Sequence, residues 1–188
     1  GAMSYVRGGW GEVGSQYDAL LAANLHDDYP TDRQMLLIRC RAWIIYRDYS
    51  RELNFDCQTG FGMSGENRVR WSFEVPVGGG ETIGLVAEAQ LVEGKNLVGL
   101  RFKRHGAGRN ALGGSKAVRL VVRPDVDDRG FHEKTKAFSG AESAWAQACS
   151  NDGRGFQFSP GAHTLAMVCD SGEYHPEPEW VYNVSHPV

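Results

Sequence analysis

Two stretches of this chain gather the side chains that acid–base or sugar chemistry needs. One is Arg123-Pro124-Asp125-Val126-Asp127-Asp128-Arg129-Gly130-Phe131-His132, which packs carboxylates, guanidiniums and an imidazole close together. The other is Tyr174-His175-Pro176-Glu177-Pro178-Glu179-Trp180-Val181-Tyr182-Asn183, whose prolines fix φ and so display rings and acids on a stiff backbone. Hydrolysing a glycosidic bond takes two carboxylates about 5–10 Å apart on a rigid frame, one with a raised pKa. Asp127 with Asp128, and Glu177 with Glu179, are neighbours in sequence, and neighbours on a loop or extended segment do not converge on one bond. Binding a sugar asks for less: a ring to lie under its apolar face and polar groups to meet its hydroxyls. Trp180 and Tyr182, beside Glu177, Glu179 and Asn183, offer both. The residues singled out as carbohydrate-binding or interface candidates are therefore Tyr174, His175, Glu177, Glu179, Trp180, Tyr182 and Asn183, with Asp128, Arg129 and His132 from the first stretch.

Competing explanations exist for each. An Asp- and Arg-rich loop commonly satisfies itself by capping its own backbone amides, and Pro-Glu segments commonly serve as linkers. A third polar cluster, Tyr46-Arg47-Asp48-Tyr49-Ser50-Arg51-Glu52, fits a strand end carrying a surface ion pair. No Gly-x-Ser-x-Gly, His-Glu-x-x-His or phosphate-cradling glycine loop occurs. No complete catalytic set emerges, and the residues name no metal or cofactor.

The frame that must hold these groups is written in period two. Val69, Trp71, Phe73, Val75 and Val77 alternate with residues that are mostly polar, which predicts a strand with one buried face. After Gly78-Gly79-Gly80 the alternation resumes over Thr82–Leu91, and after Glu93-Gly94-Lys95-Asn96 it continues through Val98, Leu100 and Phe102. Two hairpins in succession read as an antiparallel meander. Met35–Tyr46 is a long apolar strand with Arg39 and Arg41 on one face, while Val118–Val122 is a strand that Pro124 is expected to end, leaving 123–132 as a loop. Phe156 with Phe158, then Leu165, Met167 and Cys169, then Trp180, Tyr182 and Val184 supply three further short strands. Residues 17–25 fit a helix or a strand equally well, with 24–30 as the following loop, and 143–149 can hold a helical turn. Eight or so strands with frequent turns predict an all-β fold, an antiparallel two-sheet sandwich.

The chain's 188 residues make one domain, residues 4–188, behind a Gly1-Ala2-Met3 sequence that looks like the scar of a cleaved expression tag. Lys plus Arg is 20 against 23 for Asp plus Glu, a formal net charge of −3, which argues against nucleic-acid or membrane-surface partners. No apolar run is long enough to span a bilayer. The cysteines at 40, 57, 149 and 169 are dispersed and unpaired in sequence, so reduced thiols and a cytoplasmic setting are expected.

In order along the chain, Tyr17-Asp18-Ala19-Leu20-Leu21-Ala22-Ala23-Asn24-Leu25 after Gly8-Gly9-Trp10-Gly11, the Arg123-Pro124 stretch ending in Phe131-His132, and Glu177-Pro178-Glu179-Trp180-Val181-Tyr182-Asn183 resemble the N-terminal domain of bacterial and archaeal glycogen debranching enzymes. Asp18 stands where that family tends to carry His. The resemblance implies a supersandwich-like β domain packed against a separate C-terminal (α/α) toroid that hydrolyses α-1,6-glucosidic branch points. It also implies that 17–46 form a hairpin, that the hydrolytic acids lie in the toroid, and that the partners are a glycogen-like α-glucan and the catalytic domain of the same polypeptide. On this expectation the chain shapes or holds the glucan site, or else is an autonomous carbohydrate-binding module.

Overall fold

The computed structural model describes residues 1–26, 28, 32–106 and 108–182. Along it come β1 (Ala2–Tyr5), β2 (Ala19–Asn24), β3 (Arg33–Tyr46), β4 (Tyr49–Glu52), β5 (Gln58–Met63), β6 (Arg68–Pro76), β7 (Thr82–Leu91), β8 (Val98–His105) and β9 (Arg119–Gly130). A four-residue helical turn, α1 (Ala141–Ala144), then precedes β10 (Cys149–Asn151), β11 (Gly155–Phe158) and β12 (Leu165–Val168). All strand pairs are antiparallel. β5-β6-β7-β8 form one sheet, β1-β2-β3-β4 with β9 on the far side of β3 form a second, and β10-β11-β12 form a small third.

The meander folds as its alternation dictates. Trp71, Phe73 and Val75 of β6 and Ile83, Leu85 and Ala87 of β7 are buried, and they meet Leu21, Leu37, Cys40, Ala42 and Ile44 of the second sheet in one cluster. Trp10, from the segment between β1 and β2, fills the gap with edge-on contacts to Trp71 at 5.1 Å and Phe102 at 5.6 Å. Phe156, Phe158 and Leu165 extend the same cluster into the third sheet. The fold is the expected all-β sandwich.

Residues 17–46 form a hairpin and not a helix, with Leu21 opposite Leu37 and Asn24 opposite Arg33. Its connection includes residues 27 and 29–31, which lie outside the described residues. Period two is absent from β2 because both of its faces are covered. Leu20, Leu21 and Ala23 join the main core, while Ala19 and Ala22 meet Met35 in a smaller cluster.

Two expectations are corrected. Pro124 does not end its strand: β9 runs on to Gly130, with Pro124 opposite Cys40 and Met35 opposite Arg129. β9 is an outer strand paired only to β3, and such a strand tolerates proline where no N–H is needed for the ladder. Trp180 and Tyr182 are not in a strand; among the described residues the segment after β12 has no ladder pairing, and Pro176 and Pro178 remove donors that one would need. The anticipated third strand's Val184 lies outside the described residues. The helical turn expected in 143–149 comes slightly earlier, at α1.

Candidate functional site

β9 pairs with β3 through two register irregularities between Asp125 and Arg129, and Asp125, Asp127 and Arg129 all line one cavity, each bound in place. Arg39 and Arg41, both on β3, grip Asp125: Arg39 Nε donates to Oδ2 at 2.6 Å, and Arg41 Nη2 donates to Oδ1 at 2.7 Å. Asp127 accepts from Arg129 Nε at 2.8 Å, Thr135 Oγ1 at 2.6 Å and the Asp128 amide at 2.9 Å. Burial pushes the Asp127 carboxyl above the usual carboxylate range, and the Thr135 and Arg129 contacts pull it partly back. Arg129 also donates to the Gln16 and Glu133 carbonyls. Asp128 faces the other way and meets His163 Nδ1 at 2.9 Å.

Over the Asp125–Arg129 face arch two segments that the strand pattern does not foretell. The first is 134–149, which contains α1. The second is the tail 178–182, tied to β9 by Arg123, which donates to Glu179 Oε2 at 3.0 Å and to the Glu177 carbonyl at 3.1 Å. Trp145 of the first segment packs on Trp180 of the second with ring centres 5.8 Å apart, and edge-on against Phe158 at 5.3 Å. Together they enclose an open cavity of ≈ 500 Å³. Asp125, Asp127, Arg39 and Arg129 line it from the sheet, Phe138 and Trp145 from the first segment, and Trp180 and Tyr182 from the second. Tyr182 is 57% exposed at its border, so this aromatic segment is not consumed by the domain's own core. The more sheltered charges are matched, Asp125 with Arg39 and Arg41, Asp127 with Arg129, Asp18 with Arg7, and Glu179 pairs with Arg123, while the exposed Lys134, Lys136 and Glu142 border the cavity outside these pairs.

The sequence candidates therefore divide. Glu179, Trp180, Tyr182 and Arg129 come together at the cavity. Tyr174 does not join them; it stacks on Phe156 at 5.3 Å as part of the third sheet's packing, where burial raises its phenol pKa. Asp128 is turned to the opposite face, and His132 lies in a separate aromatic group, with its Nδ1 3.3 Å from Tyr17 Oη and its ring edge-on to Phe131. His175 is exposed, 3.7 Å from the Glu173 carboxylate, and the Glu177 side chain is exposed. Asn183 lies outside the described residues. The Tyr46–Glu52 cluster is a two-residue hairpin in which Tyr46 faces Tyr49 and Arg47, at φ 52°, lies over the Tyr46 ring.

Sequence reasoning missed Asp125 and Asp127 as same-face neighbours, along with Arg39, Phe138 and Trp145. The i, i+2 spacing of the two acids was the available signal, hidden by treating Pro124 as a terminator. Nothing periodic marked Phe138 or Trp145. Could the two acids hydrolyse a bond? They share a face, yet both carboxylates are saturated by guanidinium and hydroxyl donors, an arrangement that fixes a wall and leaves neither group free to act as base or nucleophile. No cluster of three or more His, Cys, Asp or Glu able to hold a metal occurs among the described residues, and no helix there is long and apolar enough to cross a membrane. A family model described as glycogen debranching enzyme N terminal matches residues 4–188. Searches of curated proteins and of solved structures found no match.

Proposed function

The chain belongs to the family of glycogen debranching enzyme N-terminal domains, and from that membership we propose that it supplies an α-glucan-contacting wall to the site of a separate catalytic domain in the same polypeptide. The observation that carries this proposal is the cavity bordered by Trp180 and Tyr182 on one side and the ion-paired β9 face on the other. A neutral polyhydroxylated chain suits it: rings accept the apolar sugar faces, and the exposed polar groups at the border, Lys134, Lys136 and Glu142, can meet hydroxyls, while the acids of the β9 face are already paired. Cleavage of α-1,6 branch points is assigned to the catalytic domain. Four free cysteines accord with a reducing, cytoplasmic setting.

An autonomous carbohydrate-binding module is the second reading, favoured by Trp145, Trp180 and Tyr182 bordering one open cavity. Titrating the 188-residue protein with maltooligosaccharides while following Trp fluorescence tests both. Weak binding, lost on Trp180→Ala and strengthened when the downstream domain is attached, is the expected result. Equal affinity with and without that domain would support the module instead. Absence of binding by the wild-type chain, or debranching activity in it, would overturn the glucan-wall role.

A further inference from the structure

Phe138 is 88% exposed, the highest value of any large hydrophobic side chain among the described residues. A lone exposed ring would mean little, but Phe138 shares the border of one cavity with Trp145, Trp180 and Tyr182 and so belongs to an aromatic group. Its mount is fastened at both ends. Thr135 is bonded to Asp127 on the cavity's charged side, Arg129 holds the Glu133 carbonyl at 2.8 Å, and Trp145 is packed on Trp180 and Phe158. Between these anchors Lys136 Nζ sits 5.6 Å from the centre of the Phe138 ring, a cation–π contact on that ring. Phe138 borders the same cavity as Tyr182, from a different segment of the chain.

We propose that residues 134–146 form a second sugar-contacting wall, with Phe138 as its ring platform, so that the cavity takes a glucan chain of several units between two aromatic borders and not a single terminal sugar. This rests on the glucan-wall function proposed above. A hexose unit occupies on the order of 200 Å³ at interior packing density, so a space of ≈ 500 Å³ holds more than one. Lys134, Lys136 and Glu142 border the cavity without an ion-pair partner among the described residues, at positions where solvent screens them. The platform thus selects for ring faces and chain length, not for charge.

Calorimetric titration of the 188-residue protein with glucose, maltose and maltoheptaose, for wild type, Phe138→Ala, Phe138→Tyr and Trp180→Ala, tests the proposal. Phe138→Ala should weaken maltoheptaose about tenfold while leaving glucose within about twofold, and Phe138→Tyr should keep wild-type affinity. Because the side chain is so exposed, the alanine variant removes no core packing, and an unchanged melting temperature verifies that. Maltoheptaose affinity within about twofold of wild type in Phe138→Ala, with binding still lost in Trp180→Ala, would overturn the second wall and leave the glucan-wall function standing. Equal losses for glucose and maltoheptaose would overturn the chain-length claim. A wild-type protein that binds none of the sugars would remove the functional proposal itself, and the second wall with it.

Discussion

Replacing Asp125 by Asn probes the β3–β9 clamp on which the charged side of the cavity is built. The wild-type carboxylate receives Arg39 Nε at 2.6 Å, Arg41 Nη2 at 2.7 Å and Arg41 Nε at 3.2 Å. These groups are mostly sheltered, with side chains 17–22% exposed, so the pair is not discounted as a surface bridge would be. Hydrogen bonds to a charged group contribute about 1.5–3 kcal/mol and neutral ones about half that. An amide in the same place keeps one acceptor oxygen and turns the other into an NH2 donor, so one short contact is lost outright and the other weakens, together forfeiting roughly 2 kcal/mol. It also leaves two guanidiniums facing each other with no anion between them, a repulsion of about 1 kcal/mol at a spacing of about 6 Å and an intermediate dielectric. The expected loss is about 3 kcal/mol, a fall in Tm of about 6–12 °C for a chain of this size, read by urea and thermal unfolding. Adding Arg41→Gln should recover about 1 kcal/mol, the repulsive part, in a double-mutant cycle. A loss below about 0.5 kcal/mol, the value of an exposed pair, would refute the clamp.

Asp127 carries a pH signature. Its folded pKa is raised by burial, so its contribution to stability is fully present below the unfolded carboxylate value and is lost as pH rises through the higher folded value. Asp127→Asn, which mimics the protonated form, should therefore gain stability relative to wild type as pH rises above about 4; a relative loss on that rise in paired urea titrations would mean that the Arg129 ion pair outweighs burial. Burial likewise pushes the Cys40 thiol up, so alkylation of the native protein should label exposed Cys169 first and spare Cys40 and Cys57 until urea unfolds the chain. Early Cys40 labelling would contradict the packed β3. A Cβ at Gly155 would overlap the Met167 carbonyl across the β11–β12 ladder. Gly155→Ala should cost about 2 kcal/mol or more, and an unchanged urea midpoint would show that the third sheet yields.

Much of the frame was legible in the residues. β7 spans Thr82–Leu91 as the alternation from Thr82 to Leu91 predicted, although residues 83–87 are buried on both faces, and β6 and β8 follow their patterns because each has one drier and one wetter face. β2 was ambiguous for the opposite reason, since a strand covered on both faces carries no period. At β9 a single local signal, Pro124, points against the apolar alternation around it, and a long run of pairing with β3 outweighs one missing donor at an outer strand. The same proline masks the grouping of Asp125, Asp127 and Arg129, which exists only because the backbone stays extended through it. Trp180 and Tyr182 were found by composition, while Trp145 and Phe138 sit on a segment that only tertiary packing positions.

Indole N–H resonances give the most direct measurement of the central claim, because the tryptophans are spread over distinct environments. Trp10 and Trp71 lie in the sandwich core, whereas Trp145 and Trp180 line the cavity. Titrating ¹⁵N-labelled protein with maltoheptaose should shift the Trp145 and Trp180 signals together and leave those of Trp10 and Trp71 in place. Saturating sugar that moves none of them, or that moves only tryptophans away from the cavity, would contradict a glucan wall at this site.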